Sequence, residues 1–220
     1  MPETKYEKRG LIDGIGNLYL RWIEDEGTST KAPTYGDEAF ETPSIDQAEV
    51  SLTVNSKDIF LSNQIHDTLE SVAKAEVNLQ AGYLPTGFAE EAQGMVKEGE
   101  GAWYMPTNPK KKPFLMAFPI TDFNDDEIIL VFPYCTLGVA NVSAQTRKED
   151  RTEQIPSFTI NSIPLAYRGS DGDKPKVYYR IDLSSEEAKK AWDRNKLLTT
   201  AIYDKATLET AKKTPAGTGV

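Results

Sequence analysis

The two residue types that most often carry catalysis or bind metals occur once each in this chain, as Cys135 and His66. A single cysteine excludes an internal disulfide and a cysteine-based zinc site, and a single histidine excludes a histidine-rich metal site. Cys135 lies in an apolar stretch, which is typical of a small buried hydrophobic side chain rather than a nucleophile. His66 has no partner that marks a catalytic role, so we place it in a loop or at the start of a strand.

Clusters of charged residues give no stronger indication of chemistry. Asp122, Asp125 and Asp126 lack the spaced acids and the glycine of an EF-hand loop, so their stretch predicts a hairpin turn. The lysine run 110–112 stands between prolines, which predicts a solvated turn or a charged sheet edge that disfavours pairing with another chain. No G-x-S-x-G, P-loop or H-E-x-x-H motif is present, and no pair of acids stands out as glycosidase carboxylates. We therefore expect no enzymatic activity, no cofactor and no metal, with an unmarked hydrolase as an alternative.

The net negative charge argues against binding of nucleic acid through its phosphates. The 220 residues include 34 acidic and 25 basic side chains, for a formal net charge of −9. Like-charge repulsion instead suits a passage along which DNA moves without sticking. No apolar run approaches the length of a membrane helix, and the charged N-terminus lacks the apolar segment of a signal peptide. Neither a membrane partner nor export is expected.

The clearest structural pattern is the alternation of apolar and polar residues from Leu69 to Tyr83. A period of two is typical of a strand with one face on a core, and fifteen residues at ~3.3 Å each would span about 50 Å. An ordinary sandwich strand with a frayed end would show the same pattern. Residues 45–55 alternate in the same way, and an antiparallel pair would place both polar faces on one wall. The predicted polar faces consist of Glu70, Lys74, Glu76, Asn78 and Gln80 in the later strand, and Gln47, Glu49, Ser51 and Thr53 in the earlier one.

The remaining strand signals complete a mainly β chain. Further strands are predicted over 17–23, 114–121, 127–145, 155–167 and 177–183. The apolar parity changes near Val142 and again near Asn161 and Ser162, which predicts a bend in each of those strands. Bent strands make the corners at which two sheets pack nearly at right angles or curl into a barrel.

Two helices are predicted beside these strands. The first is short and covers 86–94, with Thr86 as its N-cap and Gly94 as its stop. The second covers 184–197 and begins with a capping box. Trp192 lies on the apolar face of this second helix and is the predicted anchor between the helix and the sheet.

The chain is predicted to form one domain over residues 1–200. A flexible arm is expected over 1–16 and a long polar loop over 24–44, since a structureless stretch of that length is functional or disordered in most proteins. Residues 56–66 are expected to connect the two alternating strands. Residues 201–220 are expected to form an extended piece and a loose C-terminal tail.

Three parts of the chain resemble a known family. They are the strand VAKAEVNLQAGYLP leading into TGFAEEAQG, the segment YCTLGVANVSAQTRKEDRTEQIPSFTINSIPLAY, and the late stretch EEAKKAWDRN with its tryptophan. Together they resemble the major tail protein, the tail tube subunit of long, non-contractile-tailed bacteriophages. The resemblance covers about two-thirds of the chain and rests on diffuse motifs rather than on one signature.

The resemblance implies a fold, an assembly and a set of partners. The fold would be mainly β, a β-sandwich or half-barrel with one flanking helix and a second short helix. Six copies would form a ring, and stacked rings would form a tube that conducts DNA during ejection. The two predicted polar faces would line the lumen of this tube. The partners would be other copies, the tape measure protein, the tail completion and terminator proteins, and passing genomic DNA without specific binding. The protein would reside in the virion tail after synthesis in the bacterial host cytoplasm, and it would need no cofactor.

A binding module is the alternative from a different functional class. A β-sandwich that binds sugar or another protein would be expected to carry a row of exposed aromatic residues. Trp103 and Tyr104 form the one aromatic cluster in the sequence that could serve, although they are also suited to packing on a core. A glycan array would separate this alternative from a tube subunit.

Overall fold

The computed structural model describes residues 10–61, 64–139, 155–169 and 174–213, and it confirms the predicted mainly β fold. The strands are β1 Ile12–Ile15, β2 Leu18–Asp25, β3 Thr34–Tyr35, β4 Phe40–Thr42, β5 Ile45–Leu61, β6 Gln64–Ala81, β7 Val96–Gly99, β8 Ala102–Tyr104, β9 Phe114–Asp122, β10 Glu127–Leu137, β11 Ser157–Ser162 and β12 Tyr179–Asp182. The helices are α1 Phe88–Gln93, α2 Glu186–Ala191, α3 Arg194–Thr199 and α4 Lys205–Thr210.

One antiparallel sheet contains all of these strands except β7 and β8, which pair with each other. Its main order is β3-β2-β9-β10-β11-β6-β5, with β1 added to β9, β4 to β2 and β12 to β10. Leu18 and Leu20 of β2 share one apolar core with Val77 and Leu79 of β6, although these strands lie near opposite edges of the sheet. The sheet therefore curls over its own face, as a half-barrel does.

The centre of the sheet is the β9–β10 hairpin, which is buried on both faces. Its two strands read FLMAFPITD and EIILVFPYCTL, nearly continuous apolar runs of the kind found in strands that are covered on both sides. Phe118 and Phe132 point into the first core, where their rings stack with centroids 5.9 Å apart. Ala117 and Val131, one position earlier in each strand, point into a second core.

The second core lies under the helices at the C-terminal end of the described chain. Leu197 and Leu198 of α3 are buried there with Ile202 and Ala211 on either side of α4. These side chains cover the outer face of β9 and β10. Residues 201–213 therefore belong to the body of the protein, and the prediction of a loose tail is wrong over this range.

The predicted single helix over 184–197 is two short helices. Ser185, rather than Ser184, caps α2, and its hydroxyl oxygen accepts a hydrogen bond from the Ala188 amide at 3.1 Å. The helix ends at Ala191, and the next residue, Trp192, is extended and forms an isolated β-bridge with Lys212. Asp193 then caps α3 through its carboxylate, which accepts from two backbone amides. Cap-forming side chains at both places offer the backbone an alternative to a continuous helix, so the chain restarts.

The predicted connections contain more structure than expected. The 24–44 loop includes β3 and β4, both paired with β2, and the predicted 1–16 arm includes β1, paired with β9. Most of the predicted 56–66 connection belongs to β5 and β6, so the two alternating strands are longer than predicted. His66 accordingly lies near the start of β6. Short strands of this kind form because the edge of a neighbouring strand is available for pairing. The local amino-acid composition does not reveal that edge.

Other boundaries moved by a few residues. The first helix begins after Gly87, which takes a left-handed conformation with φ 80°, and ends at Gly94 as predicted. The predicted strand over 155–167 ends at Ser162, where the sequence predicted a bend. The predicted bend near Val142, residues 1–9 of the predicted flexible arm and the last seven residues lie outside the described residues. Within the described chain, no helix combines the length and the apolar character needed to cross a membrane.

Candidate functional site

The candidate site is the long β5–β6 hairpin, which begins in the body and continues beyond it. The two strands pair in antiparallel register from Ile45 opposite Ala81 to Leu61 opposite Gln64. At its base, β6 also pairs with β11, whereas β5 is the last strand in the order of the sheet. We call the part of the hairpin from Leu52 through Lys74 the arm.

The base of the hairpin has one face in the first core, as the alternation predicted. Ala75, Val77, Leu79 and Ala81 are fully buried there. Their neighbours on β5, Ala48 and Val50, are partly buried and pack against the same core. Apolar burial on this one face therefore sets the register of the base, because a slip by one residue would turn these side chains to solvent.

The opposite face of the base is a continuous polar surface formed by three strands. Each rung has one residue from each strand in the order β5, β6, β11: Gln47–Gln80–Ser157, Glu49–Asn78–Thr159 and Ser51–Glu76–Asn161. Thr53 and Lys74 add a further pair at the start of the arm. The structure thus brings together eight of the nine predicted wall residues, and we call this surface the polar face.

Hydrogen bonds across the polar face tie its strands to one another. Lys74 Nζ donates to Glu76 Oε2 at 3.0 Å and to Asn161 Oδ1 at 2.8 Å. Thr159 Oγ1 donates to Asn78 Oδ1 at 3.3 Å. The Lys74 and Glu76 side chains are about one-third exposed, so their ion pair is worth roughly 0.2–1 kcal/mol. The polar face carries little net charge, because the Lys74 ammonium offsets the Glu76 carboxylate, which is one of the two acidic groups on this face.

Glu70 does not belong to the polar face, and its prediction as a member of that wall is wrong. Thr53 pairs with Lys74, but the next residue of β5, Val54, pairs with Val72, so Ala73 is an extra residue in β6. Such a bulge shifts the alternation by one position. Beyond it, Glu70 pairs with Ser56 and lies on the same face as Val54 and Val72.

The arm exposes apolar side chains on the side that continues the buried face of the base. Leu52, Val54 and Val72 are 43%, 47% and 42% exposed, respectively, although they continue the buried face of the base. We call these three residues the apolar strip. The alternation over 45–55 correctly predicts that Leu52 and Val54 share a face with Val50, whereas the alternation over 69–83 put Val72 among the polar positions of its strand. No local signal shows that the body ends before it covers these side chains.

The backbone groups at the edges of the arm are unpaired. From Ala75 towards the start of β6, this strand has no partner other than β5 among the described residues, because the pairing with β11 stops at Ser162 opposite Ala75. The outer edge of β5 is also unpaired along its described length. Among the described residues, the arm is therefore a two-stranded ribbon with two open edges and two exposed faces.

The other residues singled out by sequence lie apart from the hairpin. Trp192 is half-buried and packs against the second core from the break between α2 and α3, with Lys212 Nζ 5.4 Å from its ring centroid. In the lysine run, Lys112 is not simply solvated. Its ammonium pairs with Glu91 at 2.8 Å and lies 4.2 Å from the ring centroid of Trp22.

Trp103 and Tyr104 do not form a two-ring platform. They are consecutive in β8, so their side chains point to opposite faces of the small β7–β8 sheet. Trp103 is half-buried beside Gly87, where an added β-carbon would lie 3.5 Å from the indole Cζ2. Tyr104 is exposed, which leaves one ring rather than a row for a carbohydrate.

The remaining candidate groups serve the fold. The Asp122 carboxylate accepts hydrogen bonds from the backbone amides of Asn124 at 2.8 Å and Asp126 at 3.1 Å, which closes the predicted β9–β10 turn. Cys135 is fully buried in the first core, and this burial raises the pKa of its thiol well above the usual value. Burial and the nearby Glu26 carboxylate raise the pKa of Tyr134 to about 12. Both groups are therefore neutral at pH 7, and Cys135 is no thiolate nucleophile.

Comparison of the sequence with models of protein families finds no match, and comparison with curated proteins finds none either.

Proposed function

We propose that this chain is a self-assembling structural subunit of a tube, of the kind that the major tail proteins of long non-contractile-tailed phages form. The observation that carries the proposal is the arm, a long ribbon that no described element of the chain covers on either face. The resemblance of the sequence to tail tube subunits supports the same function. In that function the chain is not an enzyme and acts in the virion tail.

The physics of an isolated β-ribbon supports association. A two-stranded hairpin is at best marginally stable in water, and its open edges present unpaired N–H and C=O groups to any available strand. The apolar strip adds three adjacent side chains, each more than 40% exposed, that extend a buried core. A neighbouring copy that packs on the strip and pairs with an open edge would satisfy both features. Repeated head-to-tail contacts of this kind form a ring when the rotation between successive copies closes.

The polar face supports the role of a passage wall. It lies on the side of the hairpin opposite the core, and within its three rungs the charged side chains are Glu49 and Glu76, with Lys74 beside them. A surface with little positive charge releases a polyanion readily, because few counterions are displaced when the polyanion approaches. The polar face is therefore the proposed lining past which genomic DNA slides during ejection. The tape measure protein would occupy the same passage before ejection, and terminator proteins would close the tube.

Assembly of the purified chain tests this function. We expect rings or tubes in negative-stain electron micrographs at high protein concentration, with a sedimentation coefficient that rises with concentration. Val54→Lys, which places a charge in the apolar strip, should abolish assembly. Ala206→Lys, which adds the same charge at an exposed position of α4, is the matched control and should leave assembly unchanged. A chain that stays monomeric at every concentration and ionic strength would contradict the proposal.

A further inference from the structure

A groove at the C-terminal end of α1 lies apart from the β5–β6 hairpin. It is open to solvent, has a volume of about 420 Å³, and lies between the end of α1, the start of β7 and the loop before β9. Met95, Val96 and Pro106 give it an apolar lining. We call it the α1 groove. Small-molecule sites enclose most of their ligand, so an open groove of this kind suits a segment of another chain.

Contacts within the body fix the shape of the α1 groove. Gly94 has a left-handed backbone, with φ 81°, and a β-carbon added there would lie 2.5 Å from the Lys110 carbonyl oxygen. The chain after α1 therefore lies directly against the backbone at Lys110, which glycine alone permits. Lys112 Nζ pairs with Glu91 at 2.8 Å and joins the same two segments. A groove that is already formed loses little conformational entropy when it binds a partner.

The surface beside the groove is apolar and exposed. Val96 lies opposite Tyr104 in the β7–β8 sheet, so the two side chains share one face. Val96 is 41% exposed, Tyr104 is 47% exposed, and Met105, directly after β8, is 39% exposed. No described strand pairs with the outer edge of β7. An extended peptide that adds a strand to a sheet uses this combination of an open strand edge and an apolar pocket beside it.

The α1 groove is a basic place on an acidic protein. The lysine run at its border is the one run of three consecutive basic residues in a chain of net charge −9. Glu91 offsets Lys112, whereas Lys110 and Lys111 are exposed and form no ion pair with any described carboxylate. The charge left over at the groove is therefore positive, and it is complementary to an acidic occupant.

We propose that the α1 groove binds an extended acidic peptide segment of a partner protein. An apolar side chain of the peptide would fill the groove, and its carboxylates would lie beside Lys110 and Lys111. The Glu98 and Glu100 carboxylates at the turn of the β7–β8 hairpin repel negative charge, so the acidic end of the peptide belongs at the lysines. This binding site does not depend on the proposed assembly of the chain.

Three fluorescently labelled peptides of seven residues test the proposal against the full chain. The first alternates glutamate with leucine and valine, the second has lysine in place of glutamate, and the third has serine there. We expect the glutamate peptide to bind at least about tenfold more tightly than the lysine peptide, with an affinity that falls as salt is added. Fluorescence anisotropy measures the affinities. Changes in backbone amide chemical shifts should be largest at Met95, Val96 and Lys97, where the peptide would pair with β7.

Substitutions at the groove locate the binding site. Val96→Glu and Lys110→Glu each place a carboxylate where the acidic peptide would bind, so each should weaken its binding by about tenfold or more. Lys205→Glu is the matched control, since it makes the same change of charge at an exposed position of α4, and it should bind like the parent chain. Unchanged thermal unfolding will show that each variant is folded.

Several results would overturn the proposal. Equal affinity for the three peptides, or no binding, would show that the groove does not select an acidic peptide. Binding that survives Val96→Glu would place the peptide elsewhere, for example on the open edges of the arm. Tighter binding of a twelve-nucleotide oligo-dT than of the glutamate peptide would show that the lysines serve a polyanion instead. None of these results bears on whether the chain assembles, so the proposed function stands or fails separately.

Discussion

The β9–β10 and β5–β6 hairpins are built from the same kind of pairing, yet they meet opposite surroundings. The first has its strands buried on both faces, between the first core and the helices α2 to α4. The second is buried on one face at its base and on neither face along the arm. The comparison teaches that an alternating strand shows which residues share a face, whereas the rest of the chain determines whether that face is covered.

The difference divides the molecule into a part whose side chains are buried in the monomer and a part whose side chains stay exposed in it. Side chains of β9 and β10 contribute to the free energy of unfolding of the monomer because they leave water when the chain folds. Side chains of the arm stay largely in water after folding, so their apolar area remains available for association. Substitutions in the two hairpins should therefore affect different measurements.

The largest expected effect is at the central hairpin. Phe118→Ala removes a fully buried ring that stacks on Phe132, and we expect a loss of about 3–5 kcal/mol in the free energy of unfolding. Leu69→Ala, at an exposed position of the arm, is the matched control and should change the same quantity by less than about 0.5 kcal/mol. Urea unfolding of dilute, monomeric protein measures both. Similar losses for the two variants would contradict the division of the molecule into these parts.

A somewhat smaller effect is expected at the helical cover of the central hairpin. Ile202 is fully buried in the second core, so Ile202→Ala should lower the free energy of unfolding by about 2–4 kcal/mol. Lys205→Ala, at an exposed position of α4, should leave it within about 0.5 kcal/mol. Chemical denaturation followed by circular dichroism gives the values. An unaffected Ile202→Ala variant would show that residues after 200 are a dispensable tail after all.

The smallest effect is expected on the polar face at the base of the arm. Lys74→Ala removes hydrogen bonds to Glu76 and Asn161, but the ammonium is partly exposed, so we expect a loss of no more than about 1 kcal/mol. The loss should shrink further at high salt, because salt screens exposed charges. Denaturation at low and high ionic strength is the measurement. A loss of several kcal/mol would mean that this face is a buried network rather than a solvated wall.

Much of the candidate site could be predicted from the sequence. The period of two placed Val77 and Leu79 in the core and Glu76 and Asn78 on the opposite face, because the direction of successive side chains is a local property of an extended chain. Glu70 could not be placed in the same way. The bulge at Ala73 is visible only in the pairing of two strands, and it reverses every assignment beyond it.

The helical region shows the same limit for a different reason. The apolar spacing over 184–197 predicted one helix, and the structure breaks it at Trp192, where the backbone pairs with Lys212. That bridge depends on α4, which returns the chain to this point. The local signals of Ser185 and Asp193 as caps were present, but their effect depended on a contact formed twenty residues later.

The amino-acid sequence by itself determined the mainly β class, the strands of the two hairpins and the polar and apolar sides at the base of β6. These follow from alternation and turn composition, which act over a few residues. Tertiary structure alone decided that the central hairpin is covered on both faces, that the apolar strip is left in water, and that the arm changes sides at Ala73. The reason is physical: the covering of a face and the register of a pair depend on elements far apart in the chain, which no local pattern contains.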